Sequence, residues 1–283
     1  MYSYTFIQWL LFFYTYCFLG WIWETAFVSI KQKKFVNRGF LTGPFLPIYG
    51  SGAIIVLLAT IPVKDNLWHV YWMGLIAATI LEYVTGALME KLFKVRYWDY
   101  SGKKFNLHGY ICLTSSIAWG FFSIIMIQYI HKPIENLFFR IPNQVQDILA
   151  VTLTVALSVD LSYAVRDALD LKEMLVHITE NSEEIQKLQK RLDYLMTVLE
   201  DEKEIMMEKI ERIEGLIPKR EELEKEIQSF KERIAFAMEK LNFRKGQSKG
   251  ALRLLKRNPG ATSKAFSKAL LEIQNIRNGG EDR

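Results

Sequence analysis

The sequence predicts an all-α protein: a polytopic bundle of about five membrane-spanning helices, followed by a cytoplasmic coiled-coil region. Three observations carry this. Positions 1 to 168 are apolar and aromatic and hold all seven tryptophans, whereas the remainder is charged and holds none. Five runs within the first part reach the length of about 17–25 residues that a spanning helix needs. From Leu171 onward, an apolar residue instead recurs at every seventh position among glutamates and lysines. The mean hydropathy of +0.06 over 283 residues averages two unlike halves.

The expected spans are 5–29, 43–62, 68–91, 107–130 and 147–167. The first has no basic segment before it and no cleavage site after it, so it reads as a retained span. The connecting loops set the orientation. Lys31, Lys33, Lys34 and Arg38 fill the first, and Lys94, Arg96, Lys103 and Lys104 stand against Asp99 in the third. The second holds Lys64 and Asp65, and the fourth balances Lys132 and Arg140 against Glu135 and Asp147. Basic loops thus alternate with neutral ones, which places the N-terminus outside and the C-terminal half in the cytoplasm of a bacterial inner membrane.

Between the first two spans lies RGFLTGPFLPIYGSG, residues 38–52, with four glycines and two prolines. Proline removes a backbone donor and glycine opens positive φ, so this peptide is no plain helix. At membrane depth, irregular backbone survives only where protein buries it or where it lines a wet cavity. The segment therefore points to a built site containing Gly43, Pro44, Pro47 and Tyr49.

The ionisable residues inside the spans gather on the same side. Glu24 lies late in the first span, Glu82 and Glu90 late in the third, and Asp160 late in the fifth. Glu82, Gly86 and Glu90 share one helix face, with the glycine allowing close approach. A pocket reading has these acids lining a cytoplasm-facing cavity, with Arg38, Arg96 and His108 as counter-charges or donors. The plainer alternative has Glu90 and Asp160 marking the interface and Glu24 paired to an arginine. In residues 96–113, Arg96 and Asp99 are spaced for a salt bridge, and Asn106 and His108 either cap the fourth span or bind a ligand.

No catalytic residue emerges, because Ser–His–Asp spacing, HExxH and other nucleophile motifs are absent from the sequence. Cys17 and Cys112 sit in apolar runs outside any CxxC pattern, and the four histidines are scattered. Neither a metal site nor a cofactor is expected.

The pieces GWIWE (20–24), NRGFLTGPFLPIYGSGA (37–53), EYVTGALMEKLF (82–93) and RYWDYSGKKFNLHGYICL (96–113) resemble the bacterial ABC-transporter type IV family, also called CmpB-like membrane proteins. The resemblance covers residues 5–165 and none of the tail. It implies a multi-pass inner-membrane transport component of permease type, without catalytic residues. The sequence lacks GxxxxGK[ST], so it is not the ATPase, and a permease would need a separate ATPase subunit. The loop 92–106 is the natural docking surface for one. Five short spans also imply a homo-oligomer.

Ile178, Ile185, Leu192, Leu199, Met206 and Ile213 form the heptad seam of a long helix over 169–217. Gly215 and Pro218 end it, and a second amphipathic helix follows over 218–243. The pair forms either a hairpin or an intermolecular bundle. Residues 244–283 make a basic tail with Leu252, Leu254 and Leu255 interspersed, suited to anionic headgroups of the membrane lipids or to plain solubility. Nucleic acid is disfavoured, because no recognition motif accompanies the charge. The function expected is transport of an unidentified substrate through the polar pocket. The alternatives are a membrane scaffold acting through its coil and an enzyme on a lipid-type substrate.

Overall fold

The computed structural model describes residues 4–208, 225, 228–229, 231–232 and 249–279. The chain divides into two compact units, Met1–Leu171 with Gly250–Ala265, and Lys172–Lys249 with Phe266–Arg283.

In the first unit, α1 (Phe6–Gln32) opens on a capping box in which Thr5 and Gln8 exchange side-chain-to-backbone hydrogen bonds of 3.2 and 2.9 Å. It closes on Lys33 in the left-handed region. α2 (Pro47–Thr60) has Pro47 in its first turn and ends in a 3-10 turn, Ile61–Val63. α3 (Leu67–Phe93) is capped by Asn66, which accepts from the backbone N–H groups of Trp68 and His69. A hairpin of β1 (Asn106–Leu107) and β2 (Ile111–Cys112) precedes α4 (Leu113–Ile125). A π-turn, Met126–Ile130, joins α4 to α5 (His131–Arg140), and α6 runs over Asn143–Glu208. α7 (Lys249–Arg257) and α8 (Ser267–Gly279) follow.

Four of these helices are long and apolar enough to cross a membrane, namely Phe6–Gln32, Leu67–Phe93, Leu113–Arg140 and Asn143–Glu180. Helix α1 packs on α2, α2 on α3 and α3 on α4. Their core comprises Leu11, Phe12, Tyr16, Val56, Leu57, Ala78, Met126 and Phe138. Exposed Ile76, Ile80, Val84, Phe121, Ile125, Val151, Val155 and Val159 suit lipid.

The second expected span is shorter than read from sequence: the α-helix has 14 residues and begins at Pro47, not at residue 43. The cause lies in the preceding loop, which turns back along α1. Val36 N–H donates to Ser29 Oγ at 3.0 Å, Arg38 N–H to Thr25 Oγ1 at 3.2 Å, and Leu46 N–H to the Cys17 carbonyl at 3.0 Å. From Gln32 back to Cys17 is about 22 Å of helix at 1.5 Å per residue. The irregular peptide thus covers much of the depth, and α2 needs only the remainder. The fourth span begins at Leu113, not at 107, because Asn106–Cys112 is spent on the hairpin, and it continues to Arg140. His131, Lys132 and Glu135 consequently lie on a helix and not in a loop.

Helix α6 passes through 168–169 without a break. In the second unit Met174, Leu175, Ile178, Ala269, Leu270 and Ile273 are buried. The heptad side chains from Ile185 to Met206 lie outside the described side chains. Ile213 and the second helix over 218–243 lie outside the described residues, apart from positions 225, 228–229 and 231–232. Within the stretch expected as a basic tail, α7 belongs to the first unit. Its Ala251, Leu254 and Leu255, with Asn258 just beyond its end, recur at helical spacing and are all buried.

Gly50 marks a close approach of α2 to α1, since a Cβ there would collide with Cys17 Sγ and stand 2.7 Å from the Phe13 carbonyl. The carbonyl belongs to the backbone and cannot yield. Gly50→Ala is expected to destabilise the protein by about 1–3 kcal/mol, seen as a lower melting temperature in detergent, whereas Gly102→Ala, in open space, leaves it unchanged.

Candidate functional site

The basic first and third loops and the ends of α1 and α3 meet at one end of the bundle, where three carboxylates have three different environments. Glu24 accepts a hydrogen bond from Tyr49 Oη at 2.7 Å and lies 3.7 Å from Arg38 Nε. Arg38 also donates to Asn258 Oδ1 at 2.6 Å and to the Tyr97 carbonyl at 3.0 Å. Glu90 accepts from Arg96 Nε and Tyr110 Oη, both at 2.6 Å, and the Arg96 guanidinium lies 4.8 Å from the Tyr110 ring centroid. Glu82 accepts from Tyr100 Oη and Trp119 Nε1, each at 3.1 Å, and from Ser115 Oγ at 3.4 Å. Among the described residues no cation lies within ion-pair distance of it.

These groups adjoin. The Tyr49 and Trp119 ring centroids are 6.0 Å apart, so the donors of Glu24 and Glu82 touch. Gly86, between the two acids of α3, is approached by the Tyr110 side chain, whose Cβ would stand 3.2 Å from a substituent there. The close approach expected at this glycine is therefore made by an aromatic of the hairpin.

Other expected residues shape the backbone. Asp160 accepts from the N–H groups of Thr42 and Gly43, at 3.0 and 2.7 Å, which pins the proline-containing peptide to α6. Pro44 is exposed at the centre of a γ-turn closed by Phe45 N–H and the Gly43 carbonyl at 2.8 Å. Asn106 ties the hairpin, donating to the Lys103 carbonyl at 2.7 Å and accepting from Gly109 N–H at 3.1 Å. His108 meets Tyr83 Oη at 3.0 Å on the exposed rim, its ring 6.4 Å from that of Tyr110, the phenol that donates to Glu90.

The unexpected participants come from the far end of the chain. Thr262 pairs with Arg96 as an antiparallel bridge, with N–H···O distances of 2.8 and 3.0 Å. Its hydroxyl donates to Asp99 Oδ2 at 2.8 Å, and Ser263 donates to the Lys94 carbonyl at 2.6 Å. Asn258 Nδ2 donates to the Gly39 carbonyl at 2.9 Å, and Arg257 bonds Thr42 Oγ1 and lies 3.9 Å from Asp167. Residues 250–265 thus join the first loop to the third. The Ala251, Leu254, Leu255, Asn258 stripe was the available signal, obscured by the basic residues on the opposite face.

Arg96 is 3 % exposed. Burial opposes its charge, but the bond to Glu90 and the charges of Glu90 and Asp99 outweigh that and raise its pKa. Burial likewise works against ionised Asp99, yet bonds from Ser101 and Thr262 and the Arg96 charge hold its carboxyl below the usual value. Burial first, then the Glu82 charge, push the Tyr100 phenol up, so Tyr100 stays a donor.

A depressed carboxyl stabilises the folded form above its unfolded pKa, and that stabilisation is lost as pH falls through the folded value. Hydrogen exchange at Arg96 and Thr262, corrected for intrinsic rate, should therefore lose protection below about pH 4. In Asp99→Asn, protection should be low already at neutral pH and nearly independent of pH.

Residues 11–165, more than half of the chain, match a protein family described as "Putative ABC-transporter type IV". No curated protein and no solved structure matches. The matched region ends before α7, so the segment tying the two basic loops together lies beyond it. With its membrane-length helices and this match, the chain is a membrane protein belonging to the family described as Putative ABC-transporter type IV.

Proposed function

We propose that the protein is a permease-type transport component of the bacterial inner membrane, acting through the polar cluster at the cytoplasmic end of its bundle. The observation that carries this is Glu82, 7 % exposed on a membrane-length helix and held by three neutral donors. Burying a carboxylate is costly, and one that served only to pair would be met by a cation, as Glu24 and Glu90 are. Neutral donors orient Glu82 and leave its charge for a cationic or hydrogen-bond-donating group of a substrate. Glu24, Tyr49, Tyr100 and Trp119 are the neighbours that such a group would meet.

The basic first and third loops support a cytoplasmic location for this end, with the N-terminus outside. Residues 250–265 bond to both loops, which supports the same assignment. Energy would come from a separate ATPase subunit. The turn leading into the hairpin suits its docking, with Lys103 and Lys104 exposed and Phe105 80 % exposed. Homo-oligomerisation through lipid-facing helices and contact of exposed Lys264 and Lys268 with anionic headgroups complete this reading.

A scaffold reading is favoured by one feature, the unbroken α6 of 66 residues leading from the bundle into the second unit. It predicts that the spans are replaceable by an unrelated anchor.

Purification of the intact protein in mild detergent, with mass spectrometry of bound proteins and small molecules, separates the two. The transport reading expects an ATP-hydrolysing subunit whose recovery falls about tenfold, near 1.4 kcal/mol, in a Lys103→Glu, Lys104→Glu variant. It also expects a bound small molecule that is lost in Glu82→Gln with insertion intact. Recovery of self-associated chains alone would sink it.

A further inference from the structure

The opposite end of the bundle, where α1 begins, holds a second group of buried ionisable side chains that the proposed transport site leaves unused. Its geometry starts in the backbone. His131 N–H donates to the Met126 carbonyl, the five-residue step of a π-turn. One extra residue rotates the helix that follows by about 100°. His131 and Glu135, one turn apart, then face α1, and they are 6 % and 1 % exposed.

Four groups form a continuous chain there. Tyr16 Oη lies 3.0 Å from His131 Nδ1, and Tyr4 Oη lies 3.0 Å from His131 Nε2. Tyr4 donates to Glu135 Oε1 at 2.7 Å, and the Lys132 ammonium lies 3.1 Å from Glu135 Oε2. The hydrogens can be assigned by counting. A phenol has one hydroxyl hydrogen, and that of Tyr4 goes to Glu135, so Nε2 must donate to the Tyr4 oxygen. A neutral ring protonated at Nε2 accepts at Nδ1, and among the described residues the Tyr16 hydroxyl is the donor there. The bonds therefore run one way, from Tyr16 through His131 and Tyr4 to Glu135.

The surroundings are otherwise apolar. Phe12 packs edge-on, its ring 5.0 Å from the imidazole, and Ala53, Val56 and Leu57 of α2, Met126, Phe138 and Ala150 of α6 close the same core. Among the described residues, the titratable or charged groups facing His131 are Tyr4 and Tyr16 from the α1 side and Lys132 and Glu135 from its own helix. Satisfying buried polar atoms requires hydrogen bonds but no charge. An imidazole joined to a carboxylate through a shared phenol has a further capacity, because the carboxylate is a counter-charge for an imidazolium.

We propose that Tyr16, His131, Tyr4 and Glu135 form a buried proton-binding site, with His131 as the acceptor and Glu135 as its counter-charge. The incoming proton joins the Nδ1 lone pair. The Tyr16 hydroxyl rotates to present its oxygen to the new N–H, while Nε2–H stays on Tyr4 and the Tyr4 hydrogen on Glu135. No other bond forms or breaks, and the His131–Glu135 pair passes from one negative charge to none. The site does not rest on the transport reading and would stand in a scaffold equally.

The test uses the full chain in lipid nanodiscs, labelled with nitrogen-15 histidine and carrying His69→Gln, His108→Asn and His177→Gln, so that His131 is the single histidine. Nitrogen NMR should show one neutral ring protonated at Nε2 at alkaline pH and an imidazolium on acidification, with a single midpoint. Glu135→Gln should lower that midpoint by about one pH unit or more. A ring protonated at Nδ1 at alkaline pH, a ring still neutral at the lowest pH at which the protein stays folded, or a midpoint unmoved by Glu135→Gln would each overturn the proposal. The tautomer and the titration are both read with the relay intact, so a Glu135→Gln chain that failed to insert would leave the test decisive.

Discussion

The architecture depends on one constraint, that backbone polar groups at membrane depth must find partners inside the protein. The peptide between α1 and α2 contains Pro44 and two glycines, Gly39 and Gly43, and it forms no helix from which to supply its own bonds. Its donors are met from outside, by Ser29, Thr25 and the Cys17 carbonyl of α1 and by Asp160 of α6. Everything else at this end follows. Leu46 docked at Cys17 sets the level at which α2 starts, which brings Tyr49 to Glu24 and leaves Arg38 free to reach both Glu24 and Asn258.

Much of this was legible in the sequence, for physical reasons that differ by element. Apolar length revealed α1, α3 and the membrane part of α6, because a long run suffices whatever it packs against. The same criterion overextended α2, since the GPFLP stretch is as apolar as a helix while its prolines and glycines favour turns. It misplaced the start of the fourth span, because FNLHGYIC has alternating, hairpin-like character that a hydropathy window averages away. The acids were found because charge in a span is conspicuous. Their donors Tyr100, Ser115 and Trp119 were not, because hydroxyls and indoles are ordinary at a membrane interface and become informative only through distance. His131 and Glu135 were hidden by the neutral charge balance of what read as a loop.

Glu82 and Glu90 show how one helix face can carry two kinds of carboxylate. They lie two turns apart on α3, yet Glu90 meets a guanidinium at 2.6 Å and Glu82 meets phenol, indole and hydroxyl hydrogens. The difference comes from the loop. Arg96 is drawn to Glu90 and Asp99 and fixed from behind by its backbone pairing to Thr262. A guanidinium so fully engaged cannot also swing toward Glu82, so the clasp that neutralises one acid leaves the other to neutral partners.

Residues 250–265 thereby acquire a mechanical meaning. Asn258 is bonded to Arg38 and Gly39 of the first loop, and Thr262 and Ser263 to Arg96, Asp99 and Lys94 of the third. These bonds are individually modest, each about 0.5–1.5 kcal/mol net, but they act together with the buried Leu254 and Leu255. Any motion that parted the two loops would break them as a set, exposing Asn258 and apolar side chains at once. The segment therefore makes separation of the loops at this end of the bundle close to all-or-none. It imposes no such condition on the end that holds His131, where no residue of α7 takes part in the relay.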